Sequence, residues 1–295
     1  MDYAYAVRGS EPQRPPDRHV APRLAFAATG LVALVFATGL VLEWRWAVGI
    51  WPVSYQGRLA PTFVGSVVAA VGAASLYIAE RANWRAALPA GLALLVTSVV
   101  ASTAFLTISR IASLPAASKI VLVFSCLAAL GAVLSFNAYR YPPIERIRPR
   151  MIYRFSFAVF GFVLMSAGLA LVAQRPFVFP WRLDNATSVL YGAIFVGLSC
   201  NYLYGAIWGT IEDIRTSLIA FLVYDVVLLP RMLGHFGSVT PAFETSLYVY
   251  TAVLIYSAAL AVYCLALDPG CRIRWPSAPR GAQSGAAPTR RSGAG

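Results

Sequence analysis

Charge is scarce in this chain. Only 12% of its 295 residues are Asp, Glu, Lys or Arg, against about 25% in soluble domains. Lysine is almost missing: of 24 basic residues only Lys119 is not arginine. Histidine occurs twice, at His19 and His235, neither inside an apolar stretch. Bis-histidine haem ligation within a helix bundle is therefore excluded, and the residues for a histidine-based metal site are wanting. The four cysteines form no CxxC, and none falls in a loop on the outer side, so no disulfide framework is expected. There is no P-loop, HExxH or GxSxG. Long polar stretches between the apolar ones are also lacking, which leaves no room for a soluble catalytic domain. These absences argue against an enzyme, and no cofactor or metal is expected.

What is abundant is apolar length. The chain is 59% hydrophobic with a mean hydropathy of +0.66. A helix needs about 20 mostly apolar residues to cross the hydrocarbon core. Seven charge-free stretches meet this: residues 24–42, 59–79, 86–108, 120–138, 155–173, 186–210 and 245–267. An eighth, 216–233, carries Asp225 near its middle and Pro230-Arg231 near its end. Lipid offers backbone groups no partner, so the spans must be helical. Pro61 and Pro89 fall in first turns, where a missing N–H costs little. The expected fold is an all-α integral membrane protein of eight transmembrane helices.

Charge orients it. With the N-terminus in the cytoplasm, 17 basic residues fall inside and 7 outside, so the positive-inside rule puts both termini in the cytoplasm. Two helical halves, 23–138 and 154–268, flank a basic cytoplasmic linker, 139–153. Residues 1–22 and 269–295, rich in Pro or in Gly, Ala, Ser and Arg, read as disordered cytoplasmic tails. The arginine-rich composition fits a GC-rich bacterial genome and hence a bacterial cytoplasmic membrane. The net charge of +12 is spread over loops as topology requires, without an aromatic-interleaved patch, so nucleic acid is not an expected partner. The lipid bilayer is, with anionic headgroups as further partners of the linker.

The halves echo each other. Ala37-Thr38-Gly39-Leu40 meets Ser166-Ala167-Gly168-Leu169; Trp51-Pro52 meets Pro180-Trp181; Phe63-Val64-Gly65 meets Leu190-Tyr191-Gly192; Tyr77 meets Tyr204. The charged turns Glu80–Arg85 and Glu212–Arg215 follow. Four spans per half make these parallel repeats, related by an axis along the membrane normal. The arrangement resembles uncharacterised bacterial polytopic membrane proteins built from four-span units. In those, a Trp/Pro outer loop leads into a small-residue span that ends in a charged turn. The resemblance implies no activity.

Four residues are candidates for an intramembrane site. Asp225 lies nine residues past Thr216, about 13 Å along a helix, near the midplane. An intramembrane carboxylate costs at least about 2.5–3.5 kcal/mol and usually faces a bundle interior. Tyr224 and Tyr204 are its expected hydrogen-bond partners, and Asn201 lies on the small-residue row Ala193, Gly197, Gly205, Gly209. That row, echoed by Gly65, Ala69 and Ala73, also suits close helix packing. Glu80, Arg81, Glu212, Asp213 and Arg215 are candidates for a cytoplasmic gate. Trp44, Trp46, Trp51, Trp181 and Trp84 read as interfacial anchors. Two functions are open: a small transporter or ion-conducting protein using Asp225, or a non-catalytic scaffold. The scaffold would assemble with a membrane-protein partner or with its own copies through small-residue faces.

Overall fold

A computed structural model describes residues 20–50, 59–112, 117–143 and 147–273. Trp51, Pro52, Arg58, Arg146, His19 and residues 1–19 and 274–295 of the tails lie outside the described residues. Eight helices are long and apolar enough to cross a membrane. They are α1 (Val20–Val41), α2 (Leu59–Arg81), α3 (Ala87–Ala112), α4 (Ala117–Tyr139), α5 (Met151–Val172), α6 (Asn185–Ile207), α7 (Ile211–His235) and α8 (Pro241–Val262). The apolar windows run 21–27 residues. At 1.5 Å per residue even the shortest spans about 30 Å, the thickness of a hydrocarbon core. The chain is thus a multi-pass helical membrane protein. The segment with Asp225 is one continuous helix despite Pro230, and it starts five residues earlier than expected. Its N-terminus is capped: Thr210 and Asp213 form a capping box that satisfies orphan N–H groups.

The helices pack as four antiparallel hairpins, α1·α2, α3·α4, α5·α6 and α7·α8. Two further contacts, α2·α7 and α3·α6, join the hairpins. Helices α2 and α6 are the most enclosed and α4 the least. Outward faces carry exposed Leu24, Val32, Leu122, Phe155 and Phe162, as a lipid-facing surface demands.

Three hairpins are held by reciprocal approach of glycine backbones. A Cβ on Gly192 would sit 2.7 Å from the Gly168 carbonyl, and one on Gly168 would sit 2.9 Å from the Gly192 carbonyl. Gly30·Gly72 and Gly91·Gly131 meet in the same way. Where lipid is as apolar as leucine, helix association comes from such close packing.

Several contacts recur at a constant offset. Helix α1 ends with Glu43 at φ 57° and α5 with Gln174 at φ 55°. Three N–H···O bonds close each end: Leu42 to Thr38, Glu43 to Leu40 and Trp44 to Gly39, then Ala173 to Leu169, Gln174 to Leu171 and Arg175 to Ala170. Each bond recurs 131 residues later, and each end is a Schellman closure built without glycine. Inside the hairpins Gly30 faces Leu76 and Gly161 faces Leu203, both at 2.7 Å from a Cβ position.

Some expectations need correction. Trp181 and Trp84 are buried, 8% and 6% exposed, and are core residues rather than interfacial anchors. Trp181 is drawn inward because it packs on Phe179 and Phe63. Trp44 and Trp46 are exposed as expected. Val20–Pro22, assigned to the first tail, begin α1. Residues 269–273, assigned to the second tail, fold back over α8. A π-turn at Tyr263–Leu267 leads into bonds from Cys271 and Arg272 N–H to the Asp268 carbonyl and from Ile273 N–H to Leu265. This reversal places Cys271 against Cys264, Cα–Cα 5.3 Å, as a disulfide. The pair was not expected because a chain reversal just beyond a span leaves no apolar signal.

The glycine contacts yield a direct check. Gly192→Val should lower the unfolding midpoint in detergent, by overpacking worth about 1–3 kcal/mol. Gly234→Ala, whose Cβ would meet nothing within 4 Å, should leave it unchanged. Equal midpoints for the two variants would disprove the close approach.

Candidate functional site

Three layers of polar and aromatic contact lie along the α2·α7 seam and inside the second half. The first is on the linker side. Helix α7 begins with Glu212 and Asp213, as the positive end of a helix dipole favours. Both are buried, 7% and 3% exposed. The Tyr77 hydroxyl, from the end of α2, donates to Glu212 Oε2 at 3.1 Å. Arg215, one turn on, donates to Glu212 Oε1 and pairs with it. Its Nε donates to the Cys271 carbonyl at 2.6 Å, so the folded-back C-terminal turn braces this cluster. Just before α3, Arg85 donates to the Tyr204 hydroxyl on α6 at 3.5 Å and to the Tyr139 carbonyl on α4 at 2.8 Å.

Of the expected gate residues, Glu212 and Arg215 are thus brought together. Asp213 instead caps its own helix through Thr210. Arg81 lies over the Tyr77 ring at 5.6 Å, and Glu80 is exposed. Tyr77 and Arg85 were not foreseen as members. The signals for them were the pairing of Tyr77 with Tyr204 and the place of Arg85 at the end of the charged turn Glu80–Arg85.

The second layer holds Asp225. It is 1% exposed, about 21 Å along α7 from Ile211. Ser257 on α8 donates to its Oδ2 at 2.7 Å. Among the described residues its Oδ1 has no hydrogen-bond partner. Tyr202, Tyr224 and Tyr250 lie within electrostatic reach of it. The expected partners are corrected. Tyr224 is about 100° around the helix from Asp225 and bonds Tyr250 on α8. Tyr204 lies at the linker end of α6 with Arg85. Asn201 donates to Ser217 at 3.3 Å, two turns of α7 closer to the linker side than Asp225. Ser257 was overlooked because a serine in an apolar span is unremarkable until its neighbours are known.

The third layer is aromatic. Phe63 on α2 contacts Phe179, Tyr191, Phe195 and Tyr224, with ring centroids 4.4–6.3 Å apart. The Tyr191 hydroxyl crosses the seam to donate to the Ala60 carbonyl at 3.2 Å. This cluster fills the seam on the side opposite the linker. Two surface cavities open elsewhere: about 680 Å³ beside Arg182–Ala186, and about 180 Å³ beside Arg148 and Arg154. Asp225 lines neither.

Outside the spans, Asp268 anchors the C-terminal turn. Tyr153 donates to its Oδ2 at 2.5 Å, Gly270 N–H to its Oδ1 at 3.0 Å, and Arg150 pairs with it at 3.2 Å. The Tyr153 hydrogen bond, with help from Gly270 and Arg150 and against the effect of burial, holds this carboxyl below the ordinary carboxylate range.

Comparison with protein-family models, with curated proteins and with solved structures finds no match to this chain.

A folded pKa below the unfolded one stabilises the protein above the unfolded value, near 4, and that gain is lost as pH falls through the folded value. Asp268→Asn should therefore lower the unfolding midpoint at pH 7, and the gap to wild type should close on acidification below about 4. A gap that stays constant with pH would assign the loss to packing instead.

Proposed function

We propose that this chain is a small transporter or ion-conducting protein of a bacterial cytoplasmic membrane, in which Asp225 takes up a proton or cation. The observation that carries this is the carboxylate itself: buried mid-helix, held by Ser257 through one oxygen, its other oxygen without a partner. Such a group is costly in lipid and is typical of ion and proton pathways. Its setting supports the reading. The Glu212–Arg215–Tyr77 cluster closes one end and the Phe63 cluster closes the other, with Asn201–Ser217 between Asp225 and the first. We read this arrangement as an occluded conformation.

We further propose that the halves are parallel repeats. The offset of 131 residues for α1 and α5 and of 127 for α2 and α6 supports it. So does the packing pattern: adding four to each helix number turns the α2·α7 contact into α6·α3. Under the same offset of 127, Tyr77·Glu212 corresponds to Tyr204·Arg85. Rocking of one repeat on the other would then open the closures in turn.

The alternative is a non-catalytic scaffold that assembles through small-residue faces. Those faces are already used within the chain: Gly65 meets Ala37, Gly205 meets Phe157, and Gly197 meets Ala93 and Thr97. What points outward is Leu, Val, Ile and Phe. This favours the first reading.

For orientation, the arginine distribution supports both termini in the cytoplasm. The Cys264–Cys271 disulfide pulls the other way, since it lies on the linker side and disulfides persist in oxidising compartments. Its full burial reconciles the two by shielding it from reductants.

Two measurements test this. With a pH-sensitive dye trapped in proteoliposomes under an imposed potential, Asp225→Asn should abolish proton flux; flux equal to wild type would remove Asp225 from the mechanism. A periplasm-active reporter fused after Arg274 should be silent, whereas an active fusion would reverse the orientation.

A further inference from the structure

The linker does not simply bridge the halves. Its Ile147 carbonyl accepts a hydrogen bond from Ile211 N–H, at 3.1 Å, which ties it to the start of α7. This fixes the mouth of a cavity of about 180 Å³ among Arg148, Pro149, Arg154, Trp208, Gly209 and Thr210. Two arginines therefore face one small cavity. Among the described residues neither has a carboxylate within ion-pair distance. Arg154 is oriented by its Nε, which donates to the Ala206 carbonyl at 2.8 Å, and among the described residues its one other side-chain hydrogen bond is a long one from its NH1 to the Met151 sulfur. That leaves its NH2 edge to donate.

The other charges nearby are already committed. Asp213, across Thr210, accepts from the Thr210 N–H and hydroxyl. Arg150 pairs with Asp268. The backbone is committed too, since Gly209 N–H is bonded to Tyr204. Two arginines thus line one cavity with no carboxylate paired to either among the described residues, and a planar fork of donors matches a phosphate oxygen pair.

The surroundings of the cavity say what kind of anion. Large apolar side chains lie on the molecular surface here: Ile147, Ile207 and Trp208, at 69% exposure, line the cavity, and Met151, at 72%, meets Arg154, with Phe155, at 70%, one turn along α5 from Met151. They belong to the ends of α5 and α6 and to the linker, at the level where helices leave the apolar layer. A polar head held by arginines next to an apolar wall is the signature of a lipid. An exposed tryptophan at that depth is typical of the headgroup region, and basic pockets between helices on the cytoplasmic side bind anionic headgroups.

We propose that Arg148 and Arg154 form a binding site for the phosphate headgroup of an anionic phospholipid, whose acyl chains lie along Met151, Phe155 and Trp208. By joining the linker, α5 and the start of α7, the bound lipid fastens the linker to the second half beside the Glu212–Arg215 cluster. The site itself does not depend on what the protein conducts.

The test uses purified, delipidated full-length chain in mild detergent, titrated separately with phosphatidylglycerol, phosphatidylcholine and inorganic phosphate. Bound lipid is counted by native mass spectrometry. Arg148 makes no hydrogen bond among the described residues, so Arg148→Ala should leave the fold intact. Arg140→Ala serves as control, because Arg140 lies over the Phe136 ring away from the cavity. Wild type and Arg140→Ala should retain phosphatidylglycerol at least about tenfold more tightly than phosphatidylcholine. Arg148→Ala and Arg154→Lys should lose most of that preference, with unfolding midpoints of the lipid-free proteins unchanged. Equal retention of the two lipids, or full retention by Arg148→Ala, would overturn the site. Displacement of the lipid by millimolar inorganic phosphate would overturn the lipid assignment in favour of a free-anion site.

Discussion

The constraint on which this structure depends is the approach of glycine backbones within its helix hairpins. In water, helices associate because apolar side chains leave the solvent. In lipid that drive is absent, and what remains is how closely two backbones can fit. Gly30·Gly72, Gly91·Gly131 and Gly168·Gly192 each bring one helix's carbonyl to where its neighbour's Cβ would stand. Three of the four hairpins are locked this way. The fourth, α7·α8, has no such pair. Beside its apolar contacts it has polar ones, Ser257 to Asp225 and Tyr224 to Tyr250. The hairpin with the buried carboxylate is therefore also one in which hydrogen bonds join the two helices. It would respond most to the protonation of Asp225.

Under the proposed repeat, the two halves differ most where chemistry is proposed. At the offset of 127, Asp225 would correspond to Ser98, which is fully buried with a hydroxyl unpartnered among the described residues. Phe63, hub of the aromatic cluster, corresponds to Leu190, and Glu212 to Arg85. A site with one carboxylate, one carboxylate-based closure and one aromatic plug has direction. A strictly symmetric pair of halves would not.

Much of the fold was legible in the residues. Hydropathy alone locates seven of the eight helices, because a membrane span must be apolar along its length whatever it packs against. The α7 helix was the hardest to read, since Asp225 and Pro230 interrupt its pattern, and only the balance of arginines argued for it. Register was less legible. Matching Gly39 with Gly168 is natural by eye, yet the helix ends align at 131, which pairs Gly168 with Ala37. Glu43 and Gln174 adopt left-handed backbone without being glycine or asparagine, so nothing in their identity marks them as terminators. The direction in which a side chain points was not legible at all. Trp181 and Trp44 both sit in loops beyond span ends, where no periodicity tells the core from the edge, and apolar spans carry too little periodicity to pair Asp225 with Ser257 rather than with a tyrosine.

The central claim is a two-fold relation between halves, carried by α2·α7 and α3·α6. Its most direct measurement is chemical cross-linking in a cysteine-free chain bearing either Tyr77→Cys with Glu212→Cys or Tyr204→Cys with Arg85→Cys. The account predicts that one short bifunctional thiol reagent links both pairs with similar efficiency in membranes. Linkage of one pair without the other would contradict it.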